Sequence, residues 1–397
     1  MKPRPPLPPG PYLVVGQGLS GQAVAGLLED AITVATDAEG MAHLDDVQTV
    51  VKSPGIRPSV ELISVARRQG KEVVGELEMA WRLLPNEFIA VTGTNGKTTT
   101  TEMLGEIHRL AGVPNAVAGN IGKALSSLVG DVDPEAVIIC ECSSFQLADS
   151  VAFAPDCAVL LNIDADHLDW HGTVAAYRNA KHRIFTNQGP DDVAIVPHGY
   201  ERQVRARRIE YDPADPHAVR LRGRHNLDNA GAARAAARAR GIDEDAIARA
   251  LATFGGVPHR LEEVGVWGGV TYINDSKATN IGSTVVALEA VGHRIRVILG
   301  GDDAKGEDFG LLRDDLVARC RAAYLIGEAG PRLHSELSGA LRLVDCGTLD
   351  VAVERASQDA REGEFVLLSP ACASYDQFRN FEERGDRFRE LVQRLVT

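Results

Sequence analysis

The chain has 397 residues, 44% of them apolar and 24% charged, a length for two or three domains and a composition ordinary for a globular protein. Large-scale disorder, a collagenous repeat and a disulfide scaffold are excluded, and a formal net charge of -13 argues against non-specific nucleic-acid binding, which rests on Lys and Arg neutralising phosphates. Only eight residues are Lys (2, 52, 71, 97, 123, 181, 277 and 305) among 42 basic side chains, so the retained lysines should mark positions that need a primary amine or a compact ammonium. The six Cys (140, 142, 157, 320, 346 and 372) show neither a C-x-x-C pair nor zinc spacing, which fits a reducing cytoplasm. No run approaches 18 apolar residues, so no membrane insertion is expected.

Short apolar, β-branched runs alternate with helical patterns nearly throughout. This predicts an α/β fold with mostly parallel sheets in three domains: a Rossmann-like one over 1–85, a central P-loop ATPase-type one over 86–256 and a second Rossmann-like one over 257–397. The Pro-rich residues 1–9 read as a short extended lead-in. A strand over 12–15 then turns through Gly16, Gly18 and Gly21 (G-x-G-x-x-G) into a helix from about Ser20, a context that favours a phosphate on a helix N-terminus. Thr36 and Asp37 are expected to end the next strand, where a ribose hydroxyl is read. Spacing alone leaves open NAD, another nucleotide, or a tight turn that binds nothing.

A strand over 87–92 leads into Gly93-Thr94-Asn95-Gly96-Lys97-Thr98-Thr99 and a helix from Lys97. Backbone N–H groups there suit phosphates, Lys97 the β/γ-phosphates and the Thr98 hydroxyl Mg²⁺, so an ATP site is read despite a loop shorter than the standard one. Glu141 ends an apolar strand over 136–141, where a carboxylate is placed to hold Mg²⁺ beside the phosphates. A strand over 157–162 releases Asp164, Asp166, His167 and Asp169, a crowding of acids that a cation or substrate would offset. Lys181 falls on a helix; a solvated face is the ordinary place for it, and lysine scarcity argues against that. A helix over 226–240 and another ending near Phe254 reach Gly255-Gly256 and Pro258, the second boundary. Beyond it, strands over 270–274, 295–299, 322–326, 341–344 and 365–368 alternate with helices. The loops after three of them, with Arg260, Lys277 and Lys305, suit anionic ligands.

These motifs resemble the Mur ligases, the ATP-dependent amino-acid-adding enzymes of peptidoglycan assembly. The 93–99 loop is similar to their ATP loop, and folylpolyglutamate synthases share a related one. Residues 141–147 (E-C-S-S-F-Q-L), 258–262 (P-H-R-L-E), 273–284 (I-N-D-S-K-A-T-N-I-G-S-T) and 368–385 (L-S-P-A-C-A-S-Y-D-Q-F-R-N-F-E-E-R-G) look like the D-glutamate-adding branch. The resemblance implies that Gly18, Leu19, Ser20, Thr36, Asp37, Asn120 and His167 bind UDP-N-acetylmuramoyl-L-alanine. It implies that Gly93 to Thr99, with Asn229, Arg260, Asp275 and Lys277, bind ATP, and that Thr279, Lys305, Ser374 and Phe381 bind D-glutamate. Thr98, Glu141, His167 and Lys181 would serve two Mg²⁺ ions, Lys181 as a carbamate formed with CO₂. Lys97, His167, Lys181 and Arg260 would be catalytic. Trp170 departs from the Arg that relatives often carry after the D-H-x-D core.

The implied reaction is phosphoryl transfer from ATP to the substrate carboxylate, then attack of the D-glutamate amine on the acyl phosphate, in a cytoplasmic enzyme expected to be a monomer whose three domains close around their ligands. Another Mur-type ligase or a folylpolyglutamate-synthase-like amide ligase is the alternative.

Overall fold

The computed structural model of the protein describes residues 2–120, 123–164, 166–221, 223–304, 306 and 308–395. Sixteen strands among these residues form three sheets. The first is parallel, in the order β2-β1-β3-β4, from β1 (Tyr12–Val15), β2 (Ala31–Val34), β3 (Thr49–Lys52) and β4 (Glu72–Gly75). Leu13, Val15 and Val50 pack to one side with Leu62 and Ile63, whereas Val14, Val51 and Val74 pack to the other with Met79. Burial on both faces explains why these strands read as unbroken apolar runs.

The second sheet, order β10-β9-β8-β5-β7-β6, is also wholly parallel. It comprises β5 (Phe88–Thr92), β6 (Asn115–Gly119), β7 (Val137–Glu141), β8 (Cys157–Leu160), β9 (Val193–Pro197) and β10 (Arg207–Tyr211). β5 lies between β7 and β8, so the carboxyl ends of three buried strands open side by side. The third sheet, order β11-β12-β16-β13-β14-β15, contains β11 (Glu262–Trp267), β12 (Val270–Asn274), β13 (Ile295–Gly300), β14 (Cys320–Ile326), β15 (Arg342–Gly347) and β16 (Phe365–Leu368). Only β11, at one edge, runs antiparallel to its neighbour. Residues 1–220 and 224–254, with the first two sheets, form one compact unit, and residues 221–223 and 255–397 form another. Among the described residues no helix is long and apolar enough to cross a membrane.

Buried polar joints tie the two sheets of the first unit together. The Glu78 carboxylate, wholly buried, accepts from the N–H groups of Val151, Ala152 and Phe153 at 2.9–3.1 Å and from Arg82 Nε at 2.8 Å. Glu76 Oε1 accepts from the Ser126 N–H at 2.6 Å and its hydroxyl at 2.7 Å. The lead-in, which has no regular secondary structure over residues 2–9, is a strap. Tyr12 Oη and Thr49 Oγ1 donate to the Pro8 and Pro9 carbonyls on the first sheet, at 2.7 and 2.8 Å. Farther along, Arg4 lies over the Trp81 ring at 4.3 Å and donates to Asn86 O, and Lys2 pairs with Asp156 and Asp192 ahead of β8 and β9.

One sequence expectation is corrected. Thr36 and Asp37 do not end a strand: β2 stops at Val34, and Thr36 caps the helix Asp37–His43. The Thr36 hydroxyl accepts from the Glu39 N–H while the Glu39 carboxylate accepts from the Thr36 N–H, a reciprocal capping box that the T-x-x-E spacing encodes. β3, β4, β6 and β9–β11 escaped the sequence reading.

Replacing Glu78 by Ala removes the acceptor of the Val151, Ala152 and Phe153 N–H groups, the last of them buried, and leaves Arg82 with only Glu72 at 3.6 Å and the Pro6 carbonyl. Urea unfolding of the full chain should show a loss of about 3 kcal/mol or more.

Candidate functional site

The turn after β5 is built by its neighbours. Gly96 adopts a left-handed conformation (φ 84°), and a Cβ there would collide with the Asn229 side-chain amide, so the helix Lys97–Leu110 can begin here only with glycine. That helix has no side-chain N-cap, which leaves its first N–H groups directed at the turn, the arrangement that receives phosphate. Asn162, at the end of the β8 segment, holds the loop on both sides. Its Oδ1 accepts from the Asn95 N–H at 2.8 Å and its Nδ2 donates to Asn95 O at 3.1 Å. Thr94 Oγ1 lies 3.0 Å from Tyr177 Oη and accepts from the Asp164 N–H at 3.0 Å. The sequence reading assigned no role to Asn162 or Tyr177, because they act across 67 and 83 residues of chain.

Two lysines meet at one carbonyl of this loop. Lys97 Nζ donates to Gly93 O at 3.0 Å and Thr94 O at 2.9 Å, while Lys181 Nζ donates to Gly93 O at 2.6 Å. Lys181 sits on the helix Val174–His182 but only 1% of it is exposed, which rules out the solvated face. Burial, aided by the nearby Lys97 charge, pulls its ammonium down to about 7, so a sizeable share is free amine at neutral pH. Glu141, at the end of β7, is 2% exposed, and its Oε1 accepts from Asn120 Nδ2 at 3.0 Å. Asn120 therefore stands beside Glu141 already oriented. His167, at φ 49°, packs its ring 4.8 Å from Phe145, next to Trp170 and His171. Thr98 and Thr99 are buried in the first helical turn.

The first glycine turn opens the helix Leu19–Ala25 at Gly18, which has no side-chain cap and open space where a Cβ would stand; Ser20 lies in the same first turn. The Ser53 hydroxyl, buried and without a hydrogen-bond partner among the described residues, lies against Gly16 and Gly21. No sequence signal singled Ser53 out, since it follows β3, some thirty residues beyond the turn it faces.

In the second unit the loops after β12 and β16 converge on one guanidinium. Arg384, 1% exposed, donates to Ser276 O and Oγ, Cys372 O and Ala373 O at 2.8–3.1 Å. Asp302 N–H also donates to Ala373 O, which binds the β13 loop to the same cluster. Asp275 accepts from Ser369 Oγ at 2.8 Å and the Leu261 N–H at 3.1 Å; complete burial raises its carboxyl to about 7. Arg260 lies between two residues held at positive φ, His259 (61°) and Leu261 (47°), in a strained turn. Lys277 Nζ is 5.8 Å from the Phe381 ring, the Phe381 carbonyl accepts from Ser276 Oγ, and Ser374 is buried in the same cluster. Thr279 follows Lys277 in the same turn, its N–H donating to the Lys277 carbonyl. Lys305 lies outside the described residues.

Residues 91–212 match the family model of the Mur ligase middle domain, and residues 259–372 match that of the Mur ligase glutamate ligase domain. The UDP-N-acetylmuramoylalanine–D-glutamate ligase of Koribacter versatilis is 38% identical over 94% of this chain and 89% of its own. The chain belongs to the Mur ligase family. A second relative, the protein of the same name from Nitratidesulfovibrio vulgaris, is 40% identical over 97% of this chain and 96% of its own. The crystal structure of the UDP-N-acetylmuramate–alanine ligase of Thermotoga maritima shares the fold, with a TM-score of 0.60 at 19% identity over 97% of this chain and 100% of that one. In this Mur ligase the first match covers the glycine–lysine loop, and the second covers Arg260, Asp275 and Ser276 and ends at Cys372, short of Arg384.

The raised Asp275 carboxyl links the stability of this ligase to pH. Between pH 4 and 7 the unfolded chain gives up the proton that the folded chain keeps, so the contribution is full at low pH and is lost as pH rises through about 7. Asp275→Asn cannot titrate. The stability of the natural protein relative to this variant should fall by roughly 2 kcal/mol between pH 5 and 8 in denaturant unfolding; a flat difference refutes the raised value.

Proposed function

We propose that this Mur ligase joins D-glutamate to UDP-N-acetylmuramoyl-L-alanine at the expense of ATP, as the names of its relatives state for them. In this reading residues 1–85 bind the sugar nucleotide, 86–256 bind ATP and 257–397 bind the amino acid. The observation that carries it is the convergence of Lys97 and Lys181 on the Gly93 carbonyl, one on a phosphate-type loop and the other enclosed beside it. A loop that only bound nucleotide has no use for the second amine.

A carboxylate and an amine do not condense in water, because hydroxide leaves poorly. An oxygen of the alanyl carboxylate attacks the γ-phosphorus of ATP, the bond to ADP breaks, and an acyl phosphate forms. Lys97 exchanges its carbonyl partners for the β/γ-phosphate oxygens, the N–H groups of Gly93 to Thr99 cradle them, and Arg260 offsets the charge in flight. The D-glutamate amine, as free base, then attacks the acyl carbon, and the tetrahedral intermediate expels phosphate and leaves an amide. Asn229 and Asp275 with Lys277 complete the ATP site. Thr279, Lys305, Ser374 and Phe381 receive D-glutamate. Gly18, Leu19 and Ser20 hold the uridine diphosphate with Asn120, His167 and the Ser53 hydroxyl, while Thr36, the helix cap, and Asp37 face the nucleoside.

The donor set fits Mg²⁺. Glu141 offers a buried carboxylate and Thr98 a buried hydroxyl, oxygen donors of the kind Mg²⁺ takes together with water and substrate phosphates. Thr98, Glu141, His167 and a carbamate on Lys181 would hold two such ions, which supply charge neutralisation to the phosphoryl group. The buried, partly uncharged Lys181 amine is suited to add CO₂, releasing one proton, and no arginine can do so.

With UDP-N-acetylmuramoyl-L-alanine, ATP and a panel of amino acids, phosphate release should require D-glutamate. Turnover with L-lysine or diaminopimelate alone, or with a folate and L-glutamate, sinks the reading. Lys181→Arg should lose activity about 100-fold or more while unfolding normally, and formate or acetate should partly restore Lys181→Ala; an active Lys181→Arg would show that no carbamate is needed.

A further inference from the structure

Four of the eight lysines (97, 181, 277 and 305) are assigned to the ATP, metal and amino-acid sites, and Lys52 is not among them. It ends β3 with its side chain wholly enclosed. Its Nζ lies 2.6 Å from Asp149 Oδ2, and Arg67 Nη2 stands 3.6 Å from the other oxygen of the same carboxylate. Neither Lys52 nor Asp149 exposes more than 1% of its side chain. Burial lowers the lysine and raises the aspartate, so holding both charged costs stability that an apolar pair would not forfeit. Such a pair is poor glue. Its geometry shows what else it does.

The ammonium also donates to Ile56 O at 2.8 Å and Ser53 O at 3.5 Å, and the Ile56 N–H donates to Ser53 O at 3.1 Å. One amine therefore holds both ends of the Ser53–Ile56 turn, whose unpartnered hydroxyl lies against the glycine turn. On the other side, Asp149 caps the C-terminus of the helix Ser144–Ala148 and its carbonyl accepts from the Gly75 N–H at 3.3 Å. The N-terminal end of that short helix carries Phe145, packed on His167 and Trp170, and the Trp170 ring lies 5.4 Å from Lys52 Nζ. The pair stands where the first sheet's ligand turn, the helix after β7 and the aromatic wall meet.

We propose that the enclosed Lys52–Asp149 pair is a positioning device that sets the Ser53–Ile56 turn against the central sheet and so fixes the reach of the sugar-nucleotide subsite. Lys52 touches no substrate; it acts through Ser53. The proposal rests on the reading of a sugar nucleotide in the first unit. An ammonium paired with one carboxylate and bonded to two carbonyls fixes a distance and an angle, whereas an apolar contact fixes neither.

The test replaces both charges at once, as Lys52→Met with Asp149→Asn, so that no unpaired charge stays buried. The double variant should unfold close to the natural midpoint, bind ATP unchanged and bind UDP-N-acetylmuramoyl-L-alanine about tenfold more weakly by calorimetry, a loss of about 1.4 kcal/mol. Sugar-nucleotide binding within twofold of the natural protein would reduce the pair to a structural contact and overturn the proposal. A measurement independent of the variant's folding is hydrogen exchange in the natural, ligand-free protein. The Ile56 amide should be protected there, and exchange at open-loop rates overturns the pin by itself. A natural protein that binds no UDP-N-acetylmuramoyl-L-alanine overturns the underlying reading and the pin with it, an outcome recognised without any variant.

Discussion

The Gly93 carbonyl is the point on which the first unit's chemistry turns. A single oxygen accepts from two ammonium groups, and both are there because parallel strands deliver their loops to one edge of the sheet. Two like charges at one acceptor is an arrangement that relaxes when an anion arrives or when one amine loses its charge. The loop does not yield in the absence of either, since Asn162 grips Asn95 on both sides and Tyr177 backs Thr94. Rigid surroundings and an unsettled pair of charges make a receptor for phosphate.

The second unit solves a similar problem with one charge. Arg384 has no carboxylate among its four hydrogen-bond acceptors; they are three backbone carbonyls and a hydroxyl from two loops. Its fork of donors holds those loops at a fixed spacing, and the strained turn around Arg260 is held beside them through the Leu261 N–H on Asp275. The two units thus use backbone carbonyls as the anchor for cations, one leaving its cations ready to change partners and the other committing its cation fully.

Local signals carried much of this. Glycine at Gly96, lysine at Lys97 and the carboxylate at the end of β7 were legible because each sits within a few residues of the strand end that gives it meaning. The scarcity of lysine pointed to Lys181 even though helix periodicity alone would have put it in solvent. What escaped was whatever depends on distant chain segments meeting: Glu78 on the 151–153 amides, Asn162 on Asn95, Arg384 on the 372–373 and 276 carbonyls. The error at Thr36 was of another kind, since T-x-x-E states a helix cap and the expected strand end overrode it. β3 and β4, T-V-V-K and E-V-V-G, hold only two apolar residues each and carry too little pattern to be told from loops.

The order of strands in the central sheet also bears on how the chain matures as it is made. β5 is complete by residue 92, yet its two partners are β7 and β8, and the latter ends only at Leu160. The clamp on Asn95 comes with Asn162, Lys181 follows, and the side chain that fills the space over Gly96 belongs to Asn229. A loop written in the first hundred residues is therefore finished by residues more than sixty to one hundred and thirty positions later. During synthesis the nascent segment must wait, glycine-rich and unpaired, for most of the first unit to emerge, which makes it a late-forming element and exposes it longest to proteases and to chaperones.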